Sequence, residues 1–192
     1  MKKLLFIIIM LATTSWSIAQ EKTHRYEIKS GITHEFTTLS GQTTPGIRYF
    51  DSYGDYEVLI QTIDMGPLGS FENTTVTKEG KAWMYNESSR PKGFDNPTAD
   101  LTFINPSQAV IDKYKIVDTG EDEELLGRVC RKFTFVTVIG RKNKPVYNTA
   151  WVYKGIVLKS IMVNGRHETY YEVTELQENV EVAPEVFDIP EQ

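Results

Sequence analysis

Alternation of apolar and polar residues with a period of two is the feature of this sequence that most limits its fold. It is clear near the start, where Tyr26, Ile28, Ile32 and Phe36 share one parity. The other parity is polar and carries Glu27, Lys29, Thr33, Glu35 and Thr37. Such alternation is typical of a strand with one buried face. We therefore predict a long first strand, from Tyr26 to Thr38, with the apolar parity facing the core.

The same pattern continues along most of the chain and is divided by turn signals. Gly54 and the Glu79-Gly80 pair stand where tight turns are expected, because glycine adopts positive φ without strain. The segment from Glu87 to Thr98 is rich in turn residues, contains two prolines and is predicted to break the strand series. The remaining predicted strands are 47–50, 56–63, 76–78, 82–85, 115–123, 128–139, 146–153, 156–163 and 166–178.

One short helix is predicted after this break. Asn105 is placed to cap it, Pro106 suits its first position, and it should end near Lys115. Residues 100–104 form a second helical turn or a strand, since so short an apolar run does not discriminate between the two.

The pair Asn164-Gly165 is a strong signal for a two-residue hairpin turn with positive φ at both positions. It places one apolar set on the inner face, consisting of Ile156, Leu158, Met162, His167, Tyr171 and Val173. The opposite face mixes charges with apolar residues, among them Val157, Ile161, Val163 and Tyr170. Either loops or a partner cover part of this second face, or strand propensity alone accounts for its apolar residues.

The N-terminus has the pattern of a secretory signal peptide. Lys2 and Lys3 precede nine apolar residues, too few to span a bilayer, and small residues precede a cleavage site after Ala19. No cysteine lies near that site, so lipid attachment there is not expected. We expect a periplasmic address for the mature chain, with no transmembrane segment and one domain over residues 20–192.

Charge and cysteine content exclude several classes of protein. Without Lys2 and Lys3 the chain has 19 basic and 26 acidic residues, a formal charge of −7, which argues against nucleic acid and anionic membranes as partners. Cys130 is the single cysteine, so no intramolecular disulfide can form. It lies in a strand pattern and is predicted to be a small buried or half-buried apolar residue.

Known catalytic and metal-binding patterns are absent from the sequence. There is no HExxH, GxSxG, P-loop or CxxC motif, and no cofactor is expected. His24, His34 and His167 stand alone and are predicted to be partly exposed strand residues rather than metal ligands. The acidic group around Asp51, Asp55 and Glu57 lacks the spacing of an EF-hand, so we predict turn formation there and no metal site.

The second half of the chain resembles the LolA/LolB-like lipoprotein-localisation superfamily, in an uncharacterised exported branch of it. The resemblance covers roughly residues 116 to 190 and is carried by 127–133, 151–159, the Asn164-Gly165 turn, 176–180 and 186–190. It implies a mainly β fold, in which an antiparallel curved sheet forms an unclosed half-barrel with short helices packed on its concave side. It also implies an apolar cavity between sheet and helices that holds acyl chains or hydrophobic segments.

Aromatic pairs on strands are the sequence candidates for lining such a cavity. Trp83 with Tyr85 and Trp151 with Tyr153 each share one face, and Leu158 and Tyr171 lie on the inner face of the last hairpin. The alternative is that these residues fill the sheet core.

Two non-enzymatic functions follow as expectations. One is a binding or carrier protein for a lipid, a lipidated polypeptide or another apolar ligand. The other is a structural or interaction subunit of the cell envelope with a filled core and a protein partner.

Overall fold

The structure is a computed structural model of the 192-residue chain, and it describes residues 24–139 and 144–191. The predicted signal peptide, residues 1–19, and its cleavage site lie outside the described residues. In the described ranges no helix has both the length and the apolar character required to cross a bilayer.

One antiparallel sheet of eleven strands dominates the described part of the chain. Its spatial order is β6-β5-β4-β3-β2-β1-β11-β10-β9-β8-β7, so the sheet is not closed and β6 and β7 are its edges. The mainly β, unclosed antiparallel fold predicted above is therefore confirmed. The strands are β1 (Gly31–Leu39), β2 (Gln42–Asp51), β3 (Tyr56–Asp64), β4 (Ser70–Lys78), β5 (Lys81–Asn86), β6 (Ser89–Asp95), β7 (Val117–Leu125), β8 (Arg128–Ile139), β9 (Lys144–Tyr153), β10 (Ile156–Asn164) and β11 (His167–Glu178).

Two meanders of hairpins make up this sheet. The first runs from β1 to β6 and the second from β7 to β11, and they meet where β1 pairs with β11. Because β6 and β7 are consecutive in the chain but lie at opposite edges, residues 96–116 must cross from one edge to the other. We call residues 96–116 the crossing segment, and the sheet face that it covers the inner face.

The crossing segment contains one α-helix, α1 (Gln108–Tyr114), the only α-helix in the described ranges. The side chain of Ser107 caps it by accepting a hydrogen bond from Val110 N at 3.4 Å, so the predicted cap at Asn105 is wrong. Asn105 has φ 43°, outside the extended region that an N-cap residue adopts. Residues 100–104 form neither a helical turn nor a strand. Helix packing on the inner face is thus a minor part of the fold.

The segment predicted to break the strand series contains the edge strand β6. Proline cannot donate a ladder hydrogen bond, but an edge strand has one unpaired side on which proline is tolerated. Pro91 is therefore compatible with β6, and the prediction that 87–98 lacks a strand is wrong.

The first strand begins later than predicted, and the residues of the other parity face the core. Tyr26 and Ile28 are buried as expected, but residues 27–30 are bent and β1 starts at Gly31. Beyond the bend the buried side chains are those of Thr33 and Glu35, which are 0% and 4% exposed. The sequence prediction placed these two polar residues outside, and that prediction is wrong.

The last hairpin has most of its side chains on the predicted faces but a different register. Asn164 pairs with His167, so Gly165 and Arg166 form the turn, and the pairing is shifted by two residues from the predicted one. A shift of two by itself leaves the side chains on their original faces. Ile156, Ser160 and Met162 accordingly point to the inner face, while Ile161 and Tyr170 pair on the outer face. Val157 is an exception. It is predicted on the opposite face, but beside an irregularity in the pairing of β10 with β9 it packs between the sheet and the crossing segment, so its predicted face is wrong.

Apolar side chains of the described residues form three clusters. The first includes Phe50 and Leu158 at the centre of the sheet and contains the fully buried Cys130, as predicted. The second lies between the crossing segment and strands β8, β9 and β10. The third lies on the outer face of β3 and β4, where the C-terminal segment and its turn Pro184–Phe187 pack against Val58 and Val76.

Candidate functional site

A cavity of about 350 Å³ lies between the inner face of the sheet and the crossing segment. Strands β1, β2, β8, β10 and β11 supply one wall, and residues 98–103 supply the other. Much of the lining is apolar and aromatic, from Phe50, Leu101, Phe103, Phe135, Val157 and Met162. Phe103 packs against Phe135 with ring centroids 5.4 Å apart, which joins the crossing segment to β8 at the cavity wall.

The polar part of the cavity is built around Glu35, a carboxylate on the inner face of β1. Arg48 on β2 donates two hydrogen bonds to it, from Nη2 to Oε1 at 2.9 Å and from Nε to Oε2 at 3.1 Å. Thr33 Oγ1 and the Tyr171 hydroxyl each donate to Glu35 Oε2 at 2.9 Å. Four donors from three neighbouring strands therefore hold one buried carboxylate, an arrangement that satisfies a charge taken out of water.

A second buried carboxylate, Glu57 on β3, extends this network. Arg48 Nη1 contacts Glu57 Oε2 at 3.3 Å, and Arg25 Nη1 contacts Glu57 Oε1 at 3.2 Å. The hydroxyl of Tyr26 also donates to Glu57 Oε1. The network thus contains two guanidinium groups and two carboxylates, and Glu57 bridges the two arginines.

Burial and neighbouring charges set the ionisation of these groups. Burial opposes the charged form of Glu57, but the positive charges of Arg25 and Arg48 and the Tyr26 hydrogen bond outweigh it and lower its pKa below 4.5. Burial, followed by the charge of Glu57, raises the pKa of Tyr26. Burial, followed by the charge of Glu35, raises the pKa of Tyr171.

These shifts predict a stability that falls at both ends of the pH range. Glu57 has a lowered pKa in the fold, so its contribution is present above about pH 4.3, the unfolded value, and is lost as pH falls through the folded value. Tyr26 and Tyr171 have raised pKa values, so their contribution is present below about pH 10 and is lost above it. Urea titrations across pH measure this dependence.

The Glu57→Gln variant tests the predicted loss of stability at low pH. We expect the gap in unfolding free energy between the wild type and this variant to narrow steadily as the pH falls below about 4.3. A gap that stays constant from pH 7 to pH 3 contradicts the assignment.

The structure does not bring together the six residues that the sequence predicts as cavity lining. Tyr171 lines the cavity. Trp83 and Tyr85 do not; Tyr85 packs against the outer third cluster, and Trp83 lies within 6.0 Å of Lys78 Nζ. Trp151, Tyr153 and Leu158 belong to or pack against the first cluster and are also absent from the cavity wall. A ligand role for these five residues stays a prediction.

The sequence patterns do not predict four members of this network as site residues, namely Arg25, Glu35, Arg48 and Glu57. The alternation predicts Glu35 on the outer parity of a single long strand. Glu57 falls at the start of the predicted strand 56–63 and belongs to the acidic group at the preceding turn, where no metal site is predicted. One signal was available, because Arg48 and Glu57 each interrupt an apolar run on neighbouring strands, at Ile47–Phe50 and Tyr56–Leu59. Opposite charges set into adjacent strands pair when they share a face.

His24 and His167 are exposed and His34 is partly buried. Within residues 24–139 and 144–191, no group of three or more histidine, cysteine, aspartate or glutamate side chains is placed to hold a metal ion.

No family model matches the sequence. No curated protein matches it either. The fold, in contrast, has solved neighbours. A chain of the Pseudomonas aeruginosa MucA/MucB complex matches 83% of this chain with a TM-score of 0.51 and 15% identity, and the match spans 55% of that chain's length.

Two further neighbours are similar over nearly the whole domain but superpose less well. LprF from Mycobacterium bovis matches 84% of this chain and 89% of its own, with a TM-score of 0.42 and 8% identity. A domain named for outer membrane lipoprotein sorting, from Vibrio parahaemolyticus, matches 85% and 92%, with a TM-score of 0.45 and 14% identity. At these identities the likeness extends to the fold alone.

Proposed function

We propose that this protein is an exported binding or carrier protein that holds a lipid, a lipidated polypeptide or another apolar ligand between its sheet and its crossing segment. The cavity of about 350 Å³ carries this proposal. Its size falls in the range of about 300–1,000 Å³ found for small-molecule sites, and its wall combines apolar side chains with a few converging polar groups. A carrier with a filled core would have no space for an acyl chain.

The polar groups of the cavity support binding rather than catalysis. Glu35 and Glu57 both accept hydrogen bonds from arginine, and a carboxylate held in this way is a weak base and a weak nucleophile. The hydroxyls of Tyr26 and Tyr171 donate hydrogen bonds to these carboxylates, and their raised pKa values keep the hydroxyls neutral at physiological pH. We therefore assign the network to structure and ligand recognition.

The sequence supports an exported location for this carrier. The N-terminal pattern predicts cleavage after Ala19, which would release residues 20–192 into the periplasm as a single half-barrel domain without lipid attachment.

The carrier proposal predicts a bound molecule in the protein purified from its own compartment. We expect native mass spectrometry of residues 20–192, isolated from a bacterial envelope, to show a stoichiometric added mass. Organic extraction of the same sample identifies it as a lipid or an acylated species. A clean apo mass that persists after incubation with fatty acids, phospholipids and lipopeptides would contradict the proposal.

An envelope interaction subunit is the second candidate, and the outer face of the second meander favours it. Tyr147 is paired with Val136 and Val163, Ile161 with Tyr170, and all five lie on one face. Tyr147 and Tyr170 are 62% and 45% exposed. Apolar surface of this kind is typical of protein contacts, and the MucA/MucB neighbour is itself a protein complex.

The Tyr147→Glu variant tests this second candidate. If the outer face binds a protein partner, cross-linking in the envelope should capture that partner with the wild type but not with the variant. The ligand extracted from the two proteins should be the same. If the variant forms the same cross-links as the wild type, the outer face is not the site of a protein contact.

A further inference from the structure

The four charges of the network do not face the cavity equally. The side chains of Arg25 and Arg48 are 24% and 23% exposed, and both line the cavity. Those of Glu57 and Glu35 are 6% and 2% exposed. Positive charge therefore lies at the cavity surface and the compensating negative charge lies behind it. Coulomb energy falls with distance, so a group in the cavity meets a positive field although the network is neutral.

Both guanidinium groups also retain donors. A guanidinium has five N–H groups, and the bonds from Arg48 to Glu35 and Glu57 use one on each of its three nitrogens. Arg25 contacts Glu57 through Nη1, and among the described residues its buried Nε has no hydrogen-bond partner. Because both arginines contact Glu57, their guanidinium groups lie close together in the cavity wall.

Apolar side chains occupy the same cavity as these donors. Phe103, Phe135 and Met162 line it together with Arg25 and Arg48. Guanidinium groups bind carboxylate and phosphate with matched planar geometry, whereas aromatic and aliphatic walls accommodate hydrocarbon. A ligand that satisfies both parts has an anionic group at one end and an apolar chain at the other.

We infer that the ligand is an anionic amphiphile whose carboxylate or phosphate group binds Arg25 and Arg48, with its hydrocarbon chain against Phe103, Phe135 and Met162. This inference rests on the proposed carrier function and narrows its ligand class. Arg48 forms two hydrogen bonds to Glu35 and supports the fold, so Arg25, whose one ion pair among the described residues is with Glu57 at 3.2 Å, is the position to change.

Dissociation constants for four probes with the same twelve-carbon chain test the inference. The probes are dodecanoate, dodecyl phosphate, dodecanol and dodecyltrimethylammonium, each below its critical micelle concentration. Inorganic phosphate is the control ligand that has no hydrocarbon chain. We expect the wild-type protein to bind the two anions about tenfold more tightly than dodecanol, and the cation most weakly. In Arg25→Gln the anions should lose about tenfold in affinity, and dodecanol should change less than about twofold.

Arg90→Gln is the matched control, because it removes the same charge from the exposed edge strand β6. It should leave all affinities unchanged. Equal wild-type affinity for dodecanoate and dodecanol would overturn the head-group assignment but not the carrier function. This comparison uses the wild-type protein alone, so it holds even if the Arg25→Gln variant fails to fold. Failure of every amphiphile to bind would overturn both. Binding of inorganic phosphate without any amphiphile would identify a free anion as the ligand and overturn the lipid class.

Discussion

Replacement of Glu35 by alanine is expected to lower the free energy of unfolding by about 3–5 kcal/mol, the range found when one partner of a buried ion pair is removed. The variant leaves Arg48 without its two-bond partner and Thr33 and Tyr171 without their acceptor. Glu57 cannot replace it, because Glu57 already accepts from Arg25 and Tyr26. Urea unfolding at neutral pH measures the loss.

Glu124→Ala is the control for this prediction. Glu124 lies exposed on the edge strand β7, so its removal should change stability by less than about 0.5 kcal/mol. Glu35→Gln keeps an oxygen acceptor but removes the charge, and should fall between the two. If Glu35→Ala costs less than about 1 kcal/mol, the network does not stabilise the fold as expected.

The Gly155→Ala substitution is expected to destabilise the protein by about 3 kcal/mol for two independent reasons. Gly155 has φ 85°, a left-handed conformation that costs an alanine about 1–2 kcal/mol. Its added Cβ would also lie 2.3 Å from the carbonyl oxygen of Arg25 and 2.7 Å from Ile104 Cδ1. The carbonyl belongs to the backbone, so the N-terminal segment that places Arg25 would have to move.

Gly165→Ala separates these two causes. Gly165 also has a left-handed φ, of 63°, but nothing lies within 4 Å of its added Cβ. It should therefore lose about 1 kcal/mol from conformation alone. Equal losses in the two variants would show that the contact with Arg25 and Ile104 contributes nothing. Urea titration of both variants under the same conditions provides the comparison.

Strands and hairpins could be predicted from the sequence because their signals are local. The strand from Arg128 to Ile139 has its predicted bounds, and the turn at Glu79-Gly80 joins β4 to β5 as expected. Edge strand β6 was missed because Pro91 argues against a strand unless its place at an edge is known. Edge position is a property of the whole sheet, and a local pattern does not contain it.

The cavity network could not be predicted because it contradicts the rule on which the strand assignment depends. Alternation identifies faces only if polar means exposed, and Thr33 and Glu35 are polar and buried. Their burial depends on Arg48 from β2 and Tyr171 from β11, and Tyr171 lies more than a hundred positions away in the chain. The bend at residues 27–30, which changes the parity, is also set by tertiary contacts such as the bond from Tyr53 N to Lys29 O.

The pairing of β1 with β11 has a consequence for how the protein reaches its native state. Within each meander every strand finds its partner in the next hairpin, but Gly31 of the first strand pairs with Glu178 of the last. Contacts with such large sequence separation close late and slow the folding rate, because the loop entropy is lost before they form. The bond from Tyr171 to Glu35 crosses this same seam. The cavity between the sheet and the crossing segment is therefore complete only after the final strand has been synthesised and docked, and a chain interrupted before β11 would lack one wall of it.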